Sequence, residues 1–180
     1  MPEDAIAPEE IMWEGRYIVA KRKGRWEYVS RAREMRAAVI LAITPDAEVV
    51  LVEQFRVPLG RACIELPAGL IGDDPAHPGE TATVAAAREL EEETGYRPGR
   101  MEVIGEFHSS PGMVSESFTL LRAHDLVRVG PGGGTPDEDI TVHHVPLPTL
   151  ADFISGQRAK GLAIDVRMLM LLGPQLLAAS

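Results

Sequence analysis

The amino-acid sequence predicts an α+β fold with a mixed β-sheet, and three observations support this. Segments rich in β-branched and aromatic residues outnumber segments with helical spacing. One stretch near the middle, residues 81–94, has the composition and the end signals of a well-formed helix. The chain has 180 residues, 45% hydrophobic and 25% charged, which is ordinary for a globular domain that can bury a core.

The first half of the chain is predicted to consist mainly of hairpins. Residues 1–10 are expected to be a loose tail. Residues 16–29 mix aromatic, β-branched and charged side chains around a turn at Lys23-Gly24, which predicts a first hairpin. An apolar run at 37–43 is broken by Thr44-Pro45-Asp46, and the strand pattern resumes at 48–55. We expect these two strands to pair as a second, central hairpin.

The second half contains the predicted helices. Thr81 suits the N-cap and Gly95 the C′ position of the helix, and Val84, Ala87 and Leu90, with Ala86 as a further candidate, are expected to face the core. Short strands are predicted at 64–66 and near 101–107, 116–123 and 140–145, a flexible glycine loop at 130–134, and further helices at 147–155 and 164–177.

Charge and cysteine content narrow the functional classes. The formal net charge of -9 argues against binding to nucleic acid or to an anionic membrane, which requires a basic surface. It leaves room for a small phosphorylated substrate whose charge metal ions neutralise. No apolar run reaches the ~18 residues of a membrane span. Cys63 is the single cysteine, and the N-terminus lacks the apolar core of a signal peptide, so we expect a cytoplasmic location.

Acidic residues are concentrated near the end of the predicted helix. Glu89 and Glu93 are four residues apart and share one face, which Glu92 borders. Like charges at this spacing destabilise a helix, and its C-terminal dipole disfavours anions. A divalent cation would reverse both effects, and an all-oxygen ligand set suits Mg²⁺ or Mn²⁺. The alternative from the charges alone is a solvated acidic helix end.

The segment 88–96, with Glu80 eight positions before Arg88, resembles the signature of the Nudix hydrolase family. One departure is that ten residues, instead of five, separate Gly69 from Glu80, so the loop before the helix is longer. The segments 53–58 and 64–69 resemble the ADP-ribose pyrophosphatase branch of the family. Pro111, fifteen residues past Tyr96, stands where that branch has a characteristic proline.

This resemblance implies a Nudix α/β/α sandwich with a mixed β-sheet and an N-terminal antiparallel extension. Residues 1–36 would be an arm that forms a homodimer, and residues 37–180 the hydrolase domain. The implied reaction converts ADP-ribose and water to AMP and ribose 5-phosphate with Mg²⁺ or Mn²⁺. The alternatives are another nucleoside diphosphate sugar, such as GDP-mannose, and a non-catalytic module that senses a nucleotide.

The resemblance also implies a set of metal ligands. These are the side chains of Glu89, Glu92, Glu93 and Glu138 and the backbone carbonyl of Ala68. Arg88 and Glu80 would orient the ligand carboxylates. For the base that activates water, Glu138 is the first choice and Asp137 or Glu92 the next, because Pro136 stands where the family often has a further glutamate.

Substrate contacts are expected on several side chains. Arg56 is expected to grip a phosphate, with a strand-end salt bridge as the alternative. Ser110 and Glu116 are similar to positions that contact the terminal ribose, with turn capping and a surface carboxylate as alternatives. Candidates for stacking on adenine, or else for packing in the arm, are Trp13, Tyr17, Trp26 and Tyr28. His143 and His144 are expected to be structural.

Overall fold

The computed structural model describes residues 3–32, 36–71, 79–135 and 138–178. In these ranges the strands are β1 (Glu9–Glu14), β2 (Ile18–Lys23), β3 (Trp26–Arg31), β4 (Arg36–Ala42), β5 (Glu48–Arg56), β6 (Arg61–Glu65), β7 (Ala68–Ile71), β8 (Tyr96–Arg97), β9 (Arg100–His108), β10 (Ser117–His124), β11 (Val127–Arg128), β12 (Thr141–Pro146) and β13 (Ala163–Ile164). The helices are α1 (Glu3–Ile6), α2 (Ala82–Thr94), α3 (Leu150–Ala159) and α4 (Leu169–Ala178), with 3-10 turns at Val57–Leu59, Leu147–Thr149 and Val166–Met168.

The strands form a small N-terminal sheet, two four-stranded sheets and one short pair. The order is β1-β2-β3 in the first, β7-β4-β10-β9 in the second, β12-β5-β6-β13 in the third, and β11-β8 in the pair. Strand β10 runs parallel to β4 and antiparallel to β9, and β13 runs parallel to β6, which is otherwise paired with the antiparallel β5. The predicted mixed α+β architecture and the antiparallel N-terminal extension are therefore confirmed.

Two apolar clusters place helices on both sides of the four-stranded sheets. Ala38 and Ile40 of β4 and Val50 of β5 pack with buried residues of α2. Their neighbours point to the opposite side, where they pack with α3 and with the start of the C-terminal helical segment. This alternation follows from the two-residue repeat of a strand. It gives the α/β/α sandwich that the sequence predicts.

The predicted central hairpin is wrong. Strands β4 and β5 are joined by a turn in which the Thr44 N–H donates to the Glu48 carbonyl at 2.8 Å and Ala47 has a φ of 58°. Beyond one bridge between Ile43 and Val49 they diverge, β4 into one four-stranded sheet and β5 into the other. Both strands are buried on two faces, so each packs between layers and takes its hydrogen-bond partners from distant segments.

Helix α2 has the predicted ends but a different buried face. Thr81 is the N-cap and accepts the Val84 N–H, and Gly95 adopts the left-handed conformation with a φ of 76°. Val84 is 57% exposed, so its expected packing is wrong, and Ala85 is buried in its place; Ala86 is buried as expected. The buried face continues through Leu90, and the next residue on it is Glu93.

The N-terminal hairpin is confirmed, with β2 and β3 paired around the predicted turn from Lys23 to Trp26. Two further expectations are wrong. The expected loose tail at 1–10 contains α1 and the start of β1, which pairs with β2. The predicted helix at 164–177 starts only at Leu169, because Ala163–Ile164 adds a strand to β6, and Pro174 lies within the helix. No helix in the described part of the chain is long and apolar enough to cross a membrane.

Candidate active site

Glu93 is a carboxylate on the apolar face of α2. It is only 5% exposed, and its Oε2 accepts the N–H of Ala68, the first residue of β7, at 3.1 Å. Burial raises the pKa of Glu93 to about 8, and the nearby charges of Glu89 and Glu138 add to the rise, while the Ala68 hydrogen bond and Arg56 oppose it. The ionised Glu93 carboxylate is therefore unfavourable by itself, and a bound proton or a bound cation would stabilise it.

Glu89 and Glu92 lie beside Glu93 on the same helix and share one arginine. Arg88 Nη1 lies 3.0 Å from Glu89 Oε1 and 3.1 Å from Glu92 Oε2, and its Nη2 lies 3.4 Å from Glu80. Helical spacing brings these groups together, and Arg88 then orients the carboxylates. Gly69 of β7 faces Glu89 so closely that a Cβ there would overlap the glutamate side chain.

Glu138 follows a glycine-rich loop that is docked on the end of α2. The N–H groups of Gly133 and Gly134 donate to the carbonyls of Glu93 and Glu92 at 2.8 and 3.0 Å. A Cβ on Gly132 would overlap the backbone of Thr94. The predicted loop at 130–134 is present, and it contacts the end of α2 because glycine permits this close backbone approach.

The Glu138 carboxylate is oriented within its own loop. Its Oε2 accepts the N–H and the hydroxyl of Thr135 at 2.8 and 3.0 Å, and Gln54 donates to its carbonyl at 3.3 Å. Gly134, whose N–H donates to the Glu92 carbonyl, lies against the Glu138 side chain, so Glu138 is near the end of α2 that carries Glu93. Pro136 and Asp137, the other residues considered for this loop, lie outside the described residues.

These oxygens fit a hard divalent cation. Among the described residues, no three Asp, Glu, His or Cys side chains lie close enough together to hold a metal ion in this arrangement. A cation beside Glu93 would offset the cost of placing its charge in a buried position. Glu89, Glu93 and Glu138 offer only carboxylate oxygens, the ligands that Mg²⁺ and Mn²⁺ prefer.

An arginine-rich wall stands across a cleft of about 640 Å³ from β7. Arg56, at the end of β5, binds Glu65 of β6 through Nε at 2.6 Å and Nη2 at 3.0 Å. Arg167, which no sequence motif indicated, donates to the same Glu65 at 3.2 Å and to Asp165 at 2.6 and 2.8 Å. The salt-bridge alternative for Arg56 is thus present, and the arginine also lines the cleft.

Of the two predicted ribose contacts, Glu116 lines this cleft and Ser110 does not. Glu116 lines it and is paired with Arg31 of β3 at 2.5 Å, so the N-terminal sheet contributes a cation to the wall. Ser110 accepts two backbone N–H groups with its carbonyl in the turn after β9, while its neighbour Ser109 lines the cleft. Arg31 could have been found only by knowing that β3 approaches this turn.

The aromatic residues of the arm separate into two groups. Trp26 and Tyr28 line a second cavity of about 410 Å³, together with Pro111 and Val114. Trp13 and Tyr17 lie on exposed parts of the arm, 57% and 48% exposed. The cavity adjoins the segment that leads to Glu116, because Ser30 and Ser115 are hydrogen-bonded at 2.7 Å.

Comparison with known proteins shows which family this chain belongs to. The family model described as NUDIX domain matches residues 33–158. That match covers more than half of the chain, and the chain belongs to the Nudix family. Enzymes of this family generally use divalent metal ions.

Several curated proteins are similar in sequence. A methanol dehydrogenase activator of Bacillus methanolicus is 40% identical over 111 residues, which is 62% of this chain and 57% of that protein. An ADP-ribose pyrophosphatase of Bacillus subtilis (strain 168) is 39% identical over 90 residues, 50% of this chain and 46% of that protein. In both, the matched part spans about half the length of the relative. A GDP-mannose pyrophosphatase of Salmonella typhimurium (strain LT2) is 33% identical over 159 residues, 81% of this chain and 79% of that protein.

A solved structure described as an ADP compounds hydrolase has the same fold. Its TM-score is 0.66 at 22% sequence identity, and the match covers 94% of this chain and 91% of that chain. The N-terminal extension is therefore part of the shared architecture.

Proposed function

We propose that this chain hydrolyses the pyrophosphate bond of a nucleoside diphosphate derivative, and that ADP-ribose is the substrate. The observation that carries this proposal is the buried Glu93 carboxylate, grouped with Glu89 and Glu138 across from the Arg56 wall. Carboxylates that hold cations and an arginine that binds anions are the two components that a diphosphate requires.

The proposed metal ligands are Glu89, Glu92, Glu93, Glu138 and the carbonyl of Ala68, with Mg²⁺ or Mn²⁺ as the ion. When bound, such an ion neutralises the phosphate charge and lowers the pKa of an attacking water. Arg88 holds Glu89 and Glu92 at a fixed spacing, which limits the entropy lost when they bind.

The chain's own residues then position the reactants. Arg56, oriented by two hydrogen bonds to Glu65, binds a phosphate oxygen and holds the diphosphate against the helix. Glu138 takes the proton of the attacking water, and Glu92 is the second candidate for this role. The Thr135 contacts fix the direction from which the Glu138 carboxylate approaches.

The nucleoside and the terminal sugar would lie towards the N-terminal sheet. Trp26 and Tyr28 offer aromatic faces to a purine in the 410 Å³ cavity. Glu116 and Ser110 would meet the hydroxyls of the terminal ribose. GDP-mannose is the second candidate substrate, because a GDP-mannose pyrophosphatase matches this chain over most of its length.

We also propose that residues 1–36 form a dimerisation arm ahead of the hydrolase domain at 37–180, and that the protein works in the cytoplasm as a homodimer. Ile11, Met12 and Trp13 of β1 are each more than half exposed. Exposed apolar side chains on an edge strand favour association with a second copy. Analytical ultracentrifugation would measure the oligomeric state. A dimeric parent and a monomeric Trp13→Arg variant would support the role of the arm in dimerisation.

The experiment that tests the activity is a panel of nucleoside diphosphate sugars with and without EDTA. We expect metal-dependent hydrolysis, with the highest kcat/KM for ADP-ribose. Glu93→Gln is the variant of choice, and Glu91→Gln, whose side chain pairs with Arg97 on the exposed side of α2, is the matched control. A higher kcat/KM for another nucleoside diphosphate sugar would overturn the assignment of ADP-ribose as the substrate. If no member of the panel is hydrolysed, the proposed activity is wrong and the non-catalytic, nucleotide-sensing alternative is favoured.

A further inference from the structure

Arg167 occupies the same cleft as Arg56 although it belongs to a distant part of the chain. It lies in the 3-10 turn Val166–Met168, 102 residues after Glu65, and its side chain is 18% exposed. Its guanidinium lies 5.7 Å from the ring centroid of Phe118, which also lines the cleft. The proposed function gives this arginine no role.

The two arginines are held together by one carboxylate. Arg56 Nη2 lies 3.0 Å, and Arg167 Nη2 lies 3.2 Å, from the same Oε2 atom of Glu65. The two Nη2 atoms are therefore at most about 6 Å apart, a spacing that a pair of linked phosphate groups can bridge. Glu65 is 3% exposed, so its position is set by the surrounding core of β6.

The hydrogen bonds from these guanidinium groups to described residues use only Nε and Nη2 of each arginine. A guanidinium has five N–H donors, so donors remain on both side chains for a ligand in the cleft. Asp165 and Glu65 together balance the two positive charges. Such a neutral, oriented pair binds phosphate oxygens with little reorganisation, because its donors are already fixed.

A tie between the C-terminal segment and β6 would also explain the Asp165 and Glu65 contacts of Arg167. Because Glu65 and Asp165 themselves line the cleft, this tie also brings the guanidinium to the cleft wall, but it leaves Nη1 of Arg167 without a hydrogen bond to a described residue. A diphosphate has two anionic groups, and the wall presents two guanidinium groups on one anchor. Each of the two linked phosphate groups can therefore be paired with one oriented guanidinium group.

We propose that Arg167 and Arg56 form a paired clamp in which each guanidinium binds one phosphate of the substrate, with Glu65 and Asp165 as positioning residues. The inference rests on the proposed function and deepens it. The clamp selects ligands with two linked phosphates over ligands with one, independently of the metal ion.

The test is binding without metal. In EDTA buffer, calorimetry would give Kd values for α,β-methylene-ADP, a two-phosphate probe, and for AMP, a one-phosphate probe. The variants are Arg167→Met and Arg167→Lys, and the control is Arg158→Met, on the exposed face of α3. We expect Arg167→Met to weaken the two-phosphate probe roughly tenfold or more while AMP changes by less than about threefold. Arg158→Met should match the parent.

Arg167→Lys keeps a positive charge beside Asp165 and is informative even if Arg167→Met does not fold. Lysine lacks the planar fork, so it should show the same selective loss for the two-phosphate probe in smaller measure. Equal affinity of the parent and both folded variants, or equal losses for both probes, would overturn the clamp.

The outcome is separable from that of the proposed function. If the parent hydrolyses the substrate panel but the Arg167 variants bind α,β-methylene-ADP as the parent does, the clamp is wrong and the activity stands. If the parent hydrolyses no member of the panel but Arg167→Met still selectively weakens binding of α,β-methylene-ADP, the proposed hydrolysis is wrong and the paired phosphate site stands.

Discussion

Replacing Glu93 with glutamine separates the stability cost of this carboxylate from its role in catalysis. In the folded chain, burial raises the pKa of Glu93 from 4.5 to about 8. Between these values the unfolded chain is ionised at this position while the folded chain is protonated. The unfolded chain then binds fewer protons, so the free energy of unfolding falls as the pH rises through this window.

The magnitude follows from the width of the window. At about 1.4 kcal/mol for each pH unit, the whole interval gives an upper limit of roughly 5 kcal/mol. Water in the cleft and side-chain relaxation reduce this, and we expect about 2–4 kcal/mol. Glutamine keeps an oxygen for the Ala68 N–H and removes the charge. Metal-free Glu93→Gln should therefore be more stable than the parent by this amount at about pH 9 and similar to it at about pH 5.

The assay is urea unfolding in EDTA, followed by circular dichroism. Fluorescence is less suitable because Trp13 and Trp26, the two tryptophans of the chain, lie in the N-terminal sheet. Glu91→Gln is the control, and its stability relative to the parent should not show this gain at high pH. The same variant that gains stability should lose most of its kcat with added Mg²⁺. A stability difference that is the same at both pH values would refute the assignment of a buried, destabilised carboxylate.

Three further outcomes are expected. Gly69→Ala should lower kcat about tenfold or more with the fold retained, because the added methyl group displaces Glu89; a circular dichroism melt checks folding, and unchanged kinetics would contradict the contact. Gly132→Ala should destabilise the protein by about 1–3 kcal/mol, since its φ is 72° and the methyl group meets the backbone of Thr94; urea unfolding measures this. Mg²⁺ should raise the Tm of the parent more than that of Glu93→Gln, and equal shifts in a melt would count against Glu93 as a ligand.

The sequence predicted those parts of the structure that local chemistry determines. Helix α2 has its N-cap at Thr81 and its left-handed residue at Gly95 because both signals act within one turn of the helix. The prediction that β4 and β5 form a hairpin was wrong because strand pairing is not determined locally. A turn signal brings two strands close together, but hydrogen-bond pairing depends on segments far along the chain, here β7, β10, β6 and β12.

The same division holds for the candidate site. Glu89, Glu92 and Glu93 could be grouped from helical spacing alone, and in the structure Arg88 pairs with Glu89 and Glu92 while Glu93 is buried beside them. Arg167 had no such signal, because its contact with Glu65 joins residues 102 positions apart. The glycine-rich loop at 130–134 was predicted, but its contact with the end of α2 was not, because that contact joins segments about 40 residues apart in the chain.

The divergence of β4 and β5 means that the two sides of the cleft belong to different sheets. Ala68 and Gly69 extend the sheet of β4, and Arg56 and Glu65 belong to the sheet of β5. The width of the cleft therefore depends on how the two sheets pack against each other, as well as on the residues that line it. Core substitutions beneath the sheets can widen or narrow the gap while every charged group is kept, so substrate size can evolve separately from the chemistry of cleavage.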